Sequence, residues 1–490
     1  MKRFHQDDYP SVRRSQPRRA PKDEPAVEGN RSGNLRGAAV TDYQAQSVIG
    51  KVSNEAFLKP GHAFSYAALF IFTVILYARP GEFYPSPITA SIALAVGLIT
   101  LAFFLPTQFV LESRLSAPLR EVNFVLLFGL LGMLSIPLAI NRFEAWHEFS
   151  GTFIRCIVMF VVIVNVVRTE ARLKGLLFLA LVSAVWLSID AINEYRLGLL
   201  TIDGYRAAGK GGGIFGNTND MALHVVTILP IAVALLFGSR GLARRLLFGG
   251  SAAVMIAAII LSYSRGAFLG LVVVSIFLAM KLGRRRRLEI SLAVLGITAA
   301  VILFAPDKYG SRLLSIFFPS LDPGGSASER RGELFRSIYV ALRHPFLGIG
   351  MGNYQPEMSY KGLVTHNSYT QVASEMGLAA LVCYTAFVVS PLRKLARIAR
   401  DTFAAPDDSR FYYLALGLQA SLIAYMISSF FLSVSYNWYV FYLVGYAVCL
   451  RRLYEAKTEK LVVVEEKRSE RKSNLLRPLP IESEAGAVRA

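Results

Sequence analysis

The sequence predicts an all-α polytopic membrane protein of about twelve transmembrane helices, with a large exterior loop between the ninth and tenth. Three observations lead there. Hydrophobic residues make up 53% of the 490 and the mean hydropathy is +0.43, values of a chain that lives in lipid. Apolar runs near the roughly 17–25 residues needed to cross a bilayer recur through the middle of the chain. Lys and Arg concentrate in alternate short loops, the asymmetry that sets orientation.

Residues 1–61 are polar, rich in Arg, Pro and Gly, and lack the apolar core of a cleavable signal peptide. They are expected to be a disordered tail, as are residues 451–490, on either side of a transmembrane domain over 62–450. In chain order the candidate spans are 62–78, 87–105, 123–140, 152–167, 174–193, 220–237, 246–263, 266–281, 288–304, 367–390, 411–432 and 434–450. The exterior loop covers 305–366 and holds Gly and Pro turns and one helix, Ser328 to Arg343. Leu334, Ile338 and Leu342 share a face of that helix with Phe335 beside them, so it lies on the membrane or caps a cavity.

With the N-terminus placed in the cytoplasm, the short inside loops hold 18 basic residues, among them Arg240, Arg244 and Arg284 to Arg287, and the short outside loops hold six. Both termini are therefore expected inside. The net charge of +19 is a topology signal, with no basic patch for nucleic acid. Cys156, Cys383 and Cys449 all lie in apolar runs without a CxxC, which excludes a disulfide framework and a thiolate metal site. The six histidines are scattered, with no HExxH or DxD on the outer face, so no metal is expected.

Three outward-facing segments carry the chemistry. His366 closes the exterior loop, and Asn367, Gln371 and Glu375 follow at i, i+4, i+8 spacing on one helix face. A histidine at a membrane surface suits proton transfer near neutral pH; a capping role is the plainer reading. The Gly-rich stretch from Gly204 to Asp220 holds Arg206, Lys210, Asn217 and Asn219 ahead of a span, and offers backbone N–H groups and charge to an anion. Gly204 to Lys210 fits GxxxxGK, but Gly211 follows where Ser or Thr is needed, no buried strand precedes it and it faces away from the cytoplasm, so a P-loop is rejected. Arg265 sits in the short turn Ser262 to Ala267; it is either a snorkelling anchor or, with Arg206, part of a two-guanidinium grip on a diphosphate. Arg155, Asp190, Glu194 and His224, all near outer span ends, are secondary candidates. The segment His344 to Tyr354, with a proline and alternating glycines, reads as a helix stop and tight turns.

Taken in order, Phe215-Gly216-Asn217-Thr218-Asn219, Ser264-Arg265-Gly266, Arg343-His344-Pro345 through Gly348-Ile349-Gly350, and Thr365-His366-Asn367-Ser368 resemble the O-antigen ligase and polymerase family of bacterial envelope glycosyltransferases. The likeness covers about residues 120–450. It implies a GT-C-like fold in the bacterial inner membrane. It also implies inverting transfer, without metal or cofactor, from an undecaprenyl diphosphate-linked glycan to a hydroxyl of lipid A core (a ligase) or of a growing glycan (a polymerase). By the same resemblance Arg206 and Arg265, with Lys210 nearby, hold the diphosphate, and His366 activates the acceptor hydroxyl. Asn217, Asn219, Asn367, Gln371 and Glu375 support them. Two other classes compete, a secondary transporter and a non-catalytic assembly protein. A transporter should gather its polar residues near the membrane midplane, whereas here they gather at one face.

Overall fold

A computed structural model describes residues 61–200, 213–282, 325–404 and 409–475, together with Leu58, Gly204, Arg206, Ala207, Leu288 and a few positions between 310 and 320. All described helices belong to one unit, Phe57–Ala490. Lys210, the candidate span 288–304 apart from Leu288, most of 305–324 and the N-terminal tail lie outside the described residues.

The helices, numbered here in chain order, are α1 Ala63–Ala78, α2 Pro87–Glu112, α3 Arg120–Ser135, α4 Arg142–Val166, α5 Glu170–Arg196, α6 Thr218–Gly238 and α7 Leu242–Leu261. They continue as α8 Arg265–Leu282, α9 Ser326–Arg343, α10 Ser368–Met376, α11 Leu378–Asp401, α12 Ser409–Ser428 and α13 Trp438–Leu475. Among the described residues nine helices are long and apolar enough to cross a membrane. The chain is a multi-pass, helical membrane protein. Of the other candidates, 123–140 appears as α3, 16 residues long, and 434–450 as the first part of α13.

Local chemistry sets the boundaries. Ser86 and Thr89 form a reciprocal capping box at the start of α2, with Pro87 as its first residue. Thr169 and Asn217 cap α5 and α6 singly, each side-chain oxygen accepting from a backbone N–H of the first turn. In α4 the segment Phe149–Phe153 is a π-helical turn.

Two corrections to the sequence reading follow. The candidate span 367–390 is two helices, broken between Met376 and Leu378. Gly377 takes φ +87 and a Cβ there would lie 2.1 Å from Phe346 O, so only glycine fits the break. The tail expected to be disordered from 451 is helical as far as Leu475, because that stretch is rich in Glu, Lys, Arg and Leu, all strong helix formers.

The helices form an inner and an outer layer. Within the most apolar window, 72% of α6 and of α12 is buried, against 12% of α2. Exposed Leu94, Leu98, Phe103 and Phe109 on α2 fit a surface that faces lipid. Several buried polar groups pair across helices, as a medium without water favours. Tyr442 and Tyr446 of α13 meet Thr73 and Tyr77 of α1, each at 3.2 Å. Fully buried Glu121 accepts from Arg451 at 2.9 Å and Lys394 at 3.1 Å, joining α3, α11 and α13.

Small residues let α8 approach α12 closely. A Cβ on Gly270 would lie 2.6 Å from Ser428 Oγ, and Ser428 Oγ donates to Gly266 O at 3.1 Å. That approach brings Phe430 and Phe431, just past α12, beside the start of α8, where the candidate site lies.

Candidate active site

Arg265 is the first residue of α8 and is buried. The turn before it is built tightly. Ser262 Oγ accepts from Ser264 N at 3.2 Å, and Tyr263 takes φ +52, a left-handed value uncommon outside glycine. The guanidinium donates through Nη1 to Ser315 Oγ at 2.8 Å and through Nη2 to Ser326 Oγ at 2.9 Å. The second bond ties it to the first turn of α9.

His366 reaches the same place from another direction. It is half-buried in the segment between α9 and α10, and its φ is +52. Its neighbours hold that backbone. Thr365 Oγ1 donates to Asn367 O at 3.0 Å and bonds Ser433 Oγ at 2.7 Å. Asn367 caps α10 by accepting from Tyr369 N and Thr370 N, and donates from Nδ2 to Phe430 O at 3.0 Å.

Arg265, His366 and Asn367 line one cavity of about 260 Å³, with Arg330, Arg331 and Leu334 of α9 on one side and Phe430 and Phe431 on the other. Burial, then the guanidinium of Arg330, lowers the pKa of His366 to about 4, with Glu329 opposing. The imidazole is therefore neutral at physiological pH and has a lone pair to offer. The lining combines three guanidiniums, a neutral imidazole and apolar side chains. Such a set can bind an anion, take a proton from a hydroxyl and accommodate a lipid-like group.

Arg330 and Arg331 were missed by sequence reasoning. Their adjacency on the loop helix was visible; the rotation of that helix was not. The face of α9 turned inward holds Glu333, Ser337, Val340 and Ala341, while Phe335, Ile338, Tyr339 and Leu342 stand exposed. Ser337 Oγ donates to Thr370 Oγ1 at 2.9 Å, and Glu333 accepts from Tyr354 Oη at 2.8 Å. These bonds fix α9 over α10 and the adjoining loop.

Other candidates fall elsewhere. Arg206 is buried, donates from Nε to Ser262 O at 3.1 Å and from Nη2 to Asn219 Oδ1 at 2.8 Å. It therefore buttresses the turn that carries Arg265, but is not among the described side chains that line the cavity. Asn217 caps α6 and Asn219 orients Arg206. Gln371 accepts from Ser435 Oγ at 2.7 Å, and Glu375 from Tyr436 Oη at 2.8 Å and Tyr354 N at 3.2 Å. Their shared face is turned to the chain's own neighbouring segments, away from the cavity. His224 is packed among Tyr77, Phe215 and Trp438 with Ser183 Oγ at 2.9 Å, a core histidine. Arg155 is exposed on α4, Asp190 is half-buried and Glu194 is buried on α5; none of the three lines the cavity. Among the described residues no group of three His, Cys, Asp or Glu side chains is placed to hold a metal ion.

The segment after α9 acts as a brace. Ile349 N and Gly350 N donate to Ser374 O and Glu375 O at 3.0 and 2.9 Å, and Leu378 N to Pro345 O at 2.8 Å. Gly348 permits this contact, since a Cβ there would lie 2.3 Å from the backbone of Glu375.

Residues 250–385 match the family model described as O-Antigen ligase. The matched stretch contains Arg265, α9, His366 and α10, and leaves Arg206 outside. No curated protein matches the chain.

Proposed function

We propose, for a chain whose residues 250–385 match the family model described as O-Antigen ligase, that it transfers a glycan from undecaprenyl diphosphate to an acceptor hydroxyl at the outer face of the inner membrane, with lipid A core as the acceptor. The observation that carries this reading is the convergence of Arg265 and His366 on one cavity that Arg330, Leu334, Phe430 and Phe431 also line.

In this reading the donor diphosphate lies against Arg265, with Arg330 and Arg331 within the same wall. The acceptor oxygen attacks the anomeric carbon and its proton passes to His366. The bond from that carbon to the diphosphate oxygen breaks, and the electron pair leaves with the lipid diphosphate. Attack opposite the leaving group inverts the anomeric configuration. Guanidiniums aimed where negative charge grows stabilise the transition state more than the ground state. Bound diphosphate also offsets the cation that depresses His366, so the base strengthens when the donor arrives.

A reconstituted assay tests the proposal. Purified protein is mixed with undecaprenyl diphosphate-linked glycan, with or without lipid A core, and products are read by mass spectrometry. Glycan on the core is the expected product. Longer lipid-linked chains formed without core would make it a polymerase. An intact native donor under both conditions would overturn the transferase reading in favour of transport or assembly.

A further inference from the structure

A second cavity, of about 710 Å³, opens at the far end of the helices that carry the candidate site. The start of α6 holds Asn219 beside Arg206, and its end, from Ala234 to Ser239, lines this cavity. The stretch just past α12 holds Phe430 and Phe431 at the site, and the start of α12 puts Arg410 and Leu414 here. The 21 residues of α6 rise about 30 Å at about 1.5 Å each, the thickness of a bilayer's hydrocarbon core. The two cavities therefore belong to opposite membrane faces.

Five cations line the second cavity: Lys174, Arg240, Arg244, Arg410 and Lys457, with one carboxylate, Glu170. Lys174 pairs with Glu170 at 2.9 Å, and Lys457 lies over the Phe411 ring. The floor is apolar and includes Leu235, Phe248 and Leu414. Orientation alone requires only that basic residues stand in loops on one side. Here they come from α5, the α6–α7 connection, the starts of α7 and α12, and α13, and converge on one concavity.

We propose that this cavity binds an anionic phospholipid, its phosphodiester oxygens among the arginines and its acyl chains over Leu235, Phe248 and Leu414. Inorganic phosphate offers the same oxygens, but has no use for an apolar floor one bilayer thickness from the opposite surface. Basic pockets between spans are suited to anionic headgroups.

The test uses the full chain in mild detergent. Native mass spectrometry compares cardiolipin, phosphatidylglycerol and phosphatidylcholine, with inorganic phosphate as competitor, for the native protein and for Arg240→Gln/Arg244→Gln/Arg410→Gln. The anionic lipids are expected to be retained over phosphatidylcholine. The triple variant is expected to bind them about a hundredfold more weakly, at about fivefold per cation removed. Equal retention of phosphatidylcholine, unchanged affinity of the variant, or displacement by millimolar phosphate would overturn the proposal. Should the variant not fold, a salt titration of the native protein decides: a preference for anionic lipid that is indifferent to salt overturns it, and one that salt abolishes supports it. Binding is read without any transfer reaction, so failure of the transfer assay leaves this result intact.

Discussion

His366 combines a left-handed backbone, partial burial and a nearby guanidinium. Strain of that kind persists where surroundings over-determine it, often at functional sites. Replacing it with alanine is expected to lower transfer by about 10²–10⁴-fold, the usual worth of a general base. Membrane insertion should be intact, because His366 lies outside the packed spans; normal transfer by His366→Ala would remove it as the base. Its depressed pKa sets the pH profile. A base works when neutral, so kcat/KM should hold from neutral pH downward and fall only as pH approaches about 4; a limb near 6.5 would show a hydrated, unperturbed imidazole. At Arg265 the fork matters as well as the charge, since Nη1 and Nη2 hold Ser315 and Ser326 separately. Arg265→Lys keeps the charge and loses that geometry, and a fall in kcat of about 10²-fold or more is expected.

The element that decides the site's precision is α10, nine residues long. Glu375 ties it to Tyr436 and Tyr354. Glu375→Ala strips partners from two buried donors and should cost about 1–3 kcal/mol for each, read as a lower unfolding temperature in detergent. Glu375→Gln keeps an acceptor oxygen for Tyr354 N, and its amide can donate to Tyr436 Oη instead of accepting from it, so it should lose less; equal losses would show that the carboxylate's charge is what counts. The spans were legible because length and apolarity act locally. Nine candidate spans match described helices long and apolar enough to cross a membrane; 123–140 and 434–450 fall on helices outside those nine, and 288–304, apart from Leu288, lies outside the described residues. The break at Gly377 was not legible, because glycine is common in membrane helices and only Phe346 O, brought in from the segment after α9, makes it obligatory. Arg265 and His366 could be singled out from position alone. Arg330 and Arg331 could not, since sequence alone left open whether α9 lies on the membrane or caps a cavity, and so which of its residues face the site.

For the whole molecule, the reaction is expected to be indifferent to EDTA, because in the proposed mechanism guanidiniums meet the diphosphate in place of a metal. Strong inhibition reversed by a single divalent ion would overturn that arrangement. The cavity that Arg265 and His366 line also has an unusual wall. One side of α9 is bonded to the protein through Ser337 and Glu333, while Phe335, Ile338, Tyr339 and Leu342 stand outward with Phe346 beyond them. Rings and aliphatic chains on a short amphipathic helix come to rest at the boundary between headgroups and acyl tails. The wall is therefore also a float, and the waterline it finds sets the height at which Arg330 and Arg331 meet whatever the bilayer delivers.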